Sequence, residues 1–201
     1  MEKDDLIPSQ KVGQQSNAIK EKKFSSILEA KQFFVRASAR LLEINHWQSI
    51  SATEASHFQL FDDRGSEIER IAAEGDFIRI DILGTGALQA HGYDWVRIES
   101  MEYYSNEETD IDFTIFVARP SRVPGQKGGS IANFFSPCAT STFLVFRQGN
   151  ILTAEVHGRN EVRNLQPDDI FGEARNLMIN VGSEVGMSFI RWNLLVSGVL
   201  S

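Results

Sequence analysis

Between residues 27 and 44 the apolar side chains Ile27, Ala30, Phe34, Ala37, Leu41 and Ile44 recur at steps of three and four, and Leu28, Phe33 and Leu42 widen the same face. That period predicts an amphipathic helix to about Asn45, with Glu29, Lys31, Arg36, Arg40 and Glu43 turned to solvent. Ser26 and Glu29 have the Ser-x-x-Glu spacing of a capping box, which sets the helix start. From about residue 57 the period shortens to two. Phe58 and Leu60 alternate before Asp62, Asp63, Arg64 and Gly65, a turn-forming tetrad that predicts a hairpin into 67–71. Ile78, Ile80 and Ile82 face one way against Arg79 and Asp81, a strand with one wet side.

A further strand is predicted over 93–100, with Val96 and Ile98 opposed to Trp95, Arg97 and Glu99. Phe113, Ile115 and Val117 alternate with Thr114, Phe116 and Ala118, so that strand is apolar on both faces and should be covered on both. Pro120 to Ser130 has the composition of an exposed loop. Residues 140–147 and 151–157 flank Gln148, Gly149 and Asn150, the strongest hairpin signal in the chain. After Pro167 the helical period returns through Ile170, Phe171, Ala174, Leu177, Met178, Val181 and Val185, with Asp168 or Asp169 as N-cap. Gly182 and Gly186 interrupt it, and Phe189, Ile190, Leu194, Leu195 and Val199 carry it to the end, as one kinked helix or two.

Residues 1–23 hold only scattered Leu6, Ile7, Val12 and Ile19 among Lys, Gln, Ser and Glu, too little apolar area to offset the entropy of ordering. The expectation is a mobile polar tail, followed by a single α+β domain over 24–201. The order of elements is an N-terminal helix, a curved antiparallel sheet of six or seven strands, and a C-terminal helix or helix pair packed on the sheet. In layout alone this resembles helix-grip and cystatin-like folds, although a strand ordinarily precedes the first helix of a helix-grip domain and none is predicted here.

Composition narrows the function. With 20 Lys+Arg against 27 Asp+Glu the formal net charge is -7, which disfavours binding to nucleic acid or to an anionic membrane surface. At 42% hydrophobic and 14 Phe in 201 residues, a well-filled core is expected. The single cysteine, Cys138, excludes an internal disulfide and a thiolate zinc site and fits a reducing, cytoplasmic setting. No apolar run reaches the ~20 residues of a membrane span, and the acidic start does not resemble a secretory signal.

No catalytic signature is present, and neither a cofactor nor a metal is implied. Gly84, Gly86 and Gly92 miss the dinucleotide spacing, because Gln89 stands where the third glycine would be. His46, His57, His91 and His157 are too far apart in sequence to form a ligand pair, and Glu107, Glu108, Asp110 and Asp112 lack the rest of a calcium loop. Cys138 reads as a buried structural cysteine, with His157 the one base worth testing beside it. Tyr93 and Trp95 are amphipathic aromatics suited to a pocket, Phe113 and Phe116 come from the doubly apolar strand, and Arg159 and Asn160 form a polar fork suited to a carboxylate or phosphate. Those six are the expected ligand-binding residues.

Three readings follow, in order. The first is a binding module with an apolar cavity or groove for a small hydrophobic ligand, motivated by the phenylalanine content and the doubly apolar strand. The second is a protein-protein interaction or structural module that uses the 1–23 tail or an aromatic strand face, with a second copy of the chain among its candidate partners. The third is an enzyme whose acid-base residues, His157 or Asp81, meet only in the fold.

Overall fold

The computed structural model describes residues 3–52, 56–82, 93–126, 129–164 and 183–201, with backbone alone for 82 and 183–190. Seven antiparallel strands form one sheet: β1 (Gln14–Lys23), β2 (Ser56–Phe61), β3 (Phe77–Ile82), β4 (Asp94–Asn106), β5 (Ile111–Pro120), β6 (Thr140–Gln148) and β7 (Ile151–Glu161). Their order is β1-β7-β6-β5-β4-β3-β2, so five successive hairpin-type pairings run from β2 to β7 and β1 closes on β7. Helix α1 (Ile27–Leu42) follows β1 and leads through a 3-10 turn to the short α2 (Trp47–Ile50), and α3 (Ser183–Val199) ends the chain.

The layout is the α+β arrangement expected, with one addition. Residues 14–23 are not tail: they pair in register with β7, from Ser16 opposite Gly158 to Lys23 opposite Ile151. Only Ala18 of this strand is buried, so its place is secured by the backbone ladder more than by apolar burial. Its presence supplies the strand that a helix-grip layout places before the first helix. The second difference lies after β2. Asp62 does form the predicted turn, accepting from the backbone N–H of Arg64 at 3.0 Å and Ser66 at 2.8 Å, with Gly65 at φ 84°. The return strand over 67–71, however, is reduced to one bridge between Phe61 and Glu67. β2 pairs instead with β3, and Asp76 anchors the crossing by a two-pronged contact with Arg70 at 2.7 and 2.8 Å.

Ser26 caps α1 as predicted, its Oγ accepting from the Glu29 N–H, while the Glu29 carboxylate accepts from Ser25 N–H. The helix lays Ala30, Phe33, Phe34, Ala37 and Leu41 on the sheet over β6 and β7. Leu28 falls outside that stripe and is exposed, as is Val35. Thr114 Oγ1 donates to Ser38 Oγ at 3.0 Å, joining α1 to the centre of the sheet through two buried hydroxyls. α3 lies over β1 and β7, and its Gly198 is pressed so close to the Ile50 carbonyl that a Cβ there would collide with it. The N-cap expected at Asp168 or Asp169 and the helical run to Val181 lie outside the described residues.

Alternation divides the sheet cleanly. Phe58, Leu60, Ile78, Ile80, Val96, Ile98, Phe116, Phe143, Val145, Ala154 and Val156 face the helices and form one core. Phe113, Ile115 and Leu144 face the other way. That outer cluster, with Tyr104 and Phe146 at its margin, is covered by Leu6 and Ile7 of the N-terminal segment, so β5 is covered on both faces as its pattern requires. At one end of the sheet the fully buried Arg147 holds Asp112 at 2.6 Å, Asp110 at 2.9 Å and the Gly149 carbonyl at 2.7 Å. The acidic connection read from 107–112 is therefore partly consumed in an internal ion pair.

The inner core turns on Trp47, 1% exposed, whose ring centroid lies 5.0 Å from Phe143, 5.2 Å from Phe58 and 6.3 Å from both Phe116 and Trp192. Trp47→Ala should lower stability by about 3–5 kcal/mol, the usual cost of emptying a large aromatic site. An unfolding free energy from urea titration lowered by less than about 1 kcal/mol would show that the ring cluster does not carry the core.

Candidate functional site

On the inner side, four aromatic side chains from different elements make a floor. α2 supplies Trp47, β2 Phe58, β5 Phe116 and β6 Phe143; Phe116 and Phe143 stack at 4.6 Å with 15° between their planes. Trp47 satisfies its only polar group by donating Nε1–H to the Leu41 carbonyl at 3.0 Å, so the floor is apolar throughout. Trp192 of α3 stands over it, nearly perpendicular to Phe143 at 5.3 Å and to Trp47 at 6.3 Å, and tilted against Phe58 at 6.0 Å. It is only partly buried, and its neighbour Arg191 is buried with the guanidinium 5.9 Å from the Trp192 ring. Beyond Phe58 along β2, Ser56 has no exposure, and its Oγ has no hydrogen-bond partner.

On the outer side, β7 carries a line of polar residues that close under the N-terminal segment. Glu155, 1% exposed, accepts from Lys3 Nζ at 2.7 Å, Thr153 Oγ1 at 2.6 Å and His157 Nε2 at 2.8 Å. Burial by itself would raise its pKa, but the three hydrogen bonds and the Lys3 charge outweigh that and hold the carboxyl at about 2. His157 Nδ1 lies 2.7 Å from Asn17 Oδ1, so both ring nitrogens are engaged. Arg159 donates to the Ser16 carbonyl, Asn17 Oδ1 and its neighbour's carbonyl at Gly158. Asn160, in the left-handed region at φ 56°, binds the strap over four residues: Oδ1 accepts from Lys11 and Val12 N–H, Nδ2 donates to the Ser9 carbonyl, and its own N–H donates to Gln10 Oε1.

The six residues expected to bind ligand are thus dispersed. Phe116 is in the inner floor. Phe113 is on the opposite face of the same strand, beneath Leu6 and Ile7. Trp95 is buried on the outer face, edge-on to Phe61 at 4.8 Å, and Tyr93 is exposed nearby with Arg79 4.7 Å from its ring. Arg159 and Asn160 spend their polar atoms on β1 and the strap. Trp47 and Trp192, absent from that set, occupy the centre of the inner site; both sit in helical sequence whose apolar stripe reads as packing, and only the strand register shows which rings they meet. Cys138 is exposed, where a buried cysteine is expected, because 135–138 forms a loop over the end of β7: Sγ lies 2.8 Å from Ser136 Oγ and 3.4 Å from the Asn160 carbonyl. It shares no hydrogen bond with His157. Asp81 lies opposite His57 in the β2–β3 pairing. His91 and the Gly84, Gly86 and Gly92 set lie outside the described residues.

No protein-family model matches the chain, and no curated protein matches it in sequence. Among solved structures it is similar to a major latex-like protein from Panax ginseng, at 13% identity over 83% of this chain and 92% of that one, with a TM-score of 0.35. It is likewise similar to truncated norcoclaurine synthase from Thalictrum flavum, at 10% identity over 94% and 98% with a TM-score of 0.34. A protein from Staphylococcus epidermidis gives 14% identity, 94% of each chain and a TM-score of 0.36. Superpositions at this level carry no argument about ligand or activity, and the fold stands on the sheet order and helix placement described above. Among the described residues, no helix is long and apolar enough to cross a membrane.

The outer network makes a pH-dependent prediction. A carboxyl ordinarily near 4.5 and held at about 2 stabilises the folded state above pH 4.5, and that contribution is lost as the pH falls from 4.5 towards 2. Lys3→Met removes one of the three donors, so it should lower the urea midpoint at pH 6 and have a shrinking effect as the pH approaches 2.5. An equal effect at both pH values would mean that Lys3 acts by packing on Phe146, 5.8 Å from its ammonium, and not through Glu155.

Proposed function

We propose that the protein is a binding module that takes a small hydrophobic molecule between the inner face of the sheet and α3. The observation that supports this reading is the meeting of Trp192 with the floor of Trp47, Phe58 and Phe143: α3 touches the middle of the sheet through a partly buried indole set edge-on to Trp47 and Phe143 and tilted against Phe58. A flat apolar guest inserted beside Trp192 would gain the same dispersion and area burial that the rings give one another. The inner faces of β2, β3 and β4 continue the apolar lining through Leu60, Ile78, Ile80, Val96 and Ile98. The five residues of that stretch are apolar and the charged Asp94, opposite Ile80 at the start of β4, accepts from the Phe134 N–H, so a predominantly apolar guest is the class that fits.

A second reading, association through α1, is favoured by Ile27, Leu28 and Val35, which are 48%, 67% and 65% exposed on the helix surface away from the sheet. The exposed Cys138 fits a reducing compartment for either reading.

Native and then denaturing mass spectrometry of the purified chain separates them. The ligand reading expects a monomer that releases an apolar small molecule on denaturation, or that takes up 1-methylnaphthalene when it is purified empty. A dimer that is dissociated by Leu28→Glu and takes up no guest would replace it with the association reading.

A further inference from the structure

Among the described residues, the inner face contains one polar atom that the fold leaves unused. Ser56 opens β2, and the alternation that turns Phe58 and Leu60 to the core turns Ser56 the same way, two residues or roughly 7 Å from Phe58 along the strand. The residue has 0% exposure, and its hydroxyl finds no hydrogen-bond partner. Two other buried hydroxyls among the described residues lack partners, those of Thr140 and Thr142, but their alternation with Phe143 and Val145 places them on the outer face. Ser51, close in sequence to Ser56, shows the ordinary solution: its Oγ donates to the Trp47 carbonyl at 2.6 Å. A buried hydroxyl without a partner carries a desolvation cost that an alanine of nearly the same size would avoid.

We infer that Ser56 is the specificity residue of the inner site and that the guest carries one hydrogen-bonding group, a hydroxyl or carbonyl, at the end of an otherwise apolar body. The inference rests on the ligand reading above and deepens it by naming the ligand class. Trp192 and Phe58 hold the apolar body, and the guest's polar end reaches Ser56 Oγ, which can donate or accept. Such a site favours a guest that carries the polar group, because that guest gives the already buried serine hydroxyl its partner while an analogue without the group leaves it unpaired as before.

The test uses a pair of probes matched in shape, 1-naphthol and 1-methylnaphthalene, titrated by equilibrium dialysis into the full chain and into Ser56→Ala. Loss of one hydrogen bond of ordinary strength should weaken 1-naphthol about three- to tenfold in the variant and leave 1-methylnaphthalene unchanged. The unliganded variant should also unfold at the same or a higher temperature than the native chain, since the alanine removes an unsatisfied polar group; this readout does not depend on any ligand. If the variant binds both probes as the native chain does, the role of Ser56 is overturned while the ligand reading stands. Should neither probe bind the native chain, both are overturned. A variant that unfolds at a clearly lower temperature would show that the hydroxyl already has a partner within the fold, which also overturns the inference.

Discussion

The need to cover one face of a strongly populated seven-strand sheet governs this molecule, and Trp47 is where the need is met. Its position follows from a short chain of local facts. α1 ends at Leu42, a 3-10 turn reverses the direction, and α2 begins at Trp47, so the largest side chain available is delivered under the helix layer at the moment the chain turns back towards β2. Its indole N–H is satisfied by the Leu41 carbonyl from the helix just left, which lets the ring be buried without an unpaired donor. Three strands and α3 then pack rings against it. The same contacts that stabilise the core make the aromatic floor on which the functional reading depends.

The outer face obeys a different rule. Antiparallel sheets of this kind can leave one side wet, but β5 and β6 place Phe113, Ile115 and Leu144 there. The N-terminal segment covers them with Leu6 and Ile7, fastened by Lys3 on Glu155 and by the hydrogen bonds of Asn160. A carboxylate as buried as Glu155 is tolerated because three donors converge on it. The polar atoms of Arg159 and Asn160 are occupied in holding β1 and the N-terminal segment.

Much of the architecture was legible because it is written in periods. The capping pair Ser26 and Glu29, the stripe of α1, the β6–β7 hairpin and the doubly covered β5 all depend on local pattern, and the structure has them where the pattern puts them. β1 was not legible for a physical reason: an edge strand with one buried residue, Ala18, has almost no hydrophobic signal, and its partner β7 is more than 120 residues away. Leu6 and Ile7 failed similarly, since two apolar residues count for little until the patch they cover is known. The candidate site was the least legible part. Alternation tells that Phe113 and Phe116 face opposite ways, yet it cannot tell which face the helices choose, and Trp47 and Trp192 meet Phe58 and Phe143 only through the order of the strands.

The central claim is that a guest lies against Trp192 and the floor beneath it, and the three tryptophans report on this separately. Trp47 and Trp192 line the inner site, while Trp95 is on the outer face beside Phe61. The most direct measurement is an NMR titration of the three indole N–H signals in 15N-labelled protein with 1-methylnaphthalene. The account predicts that the Trp192 and Trp47 signals shift together and saturate while Trp95 stays in place. A shift of Trp95 alone, or no shift in any of the three, would contradict it.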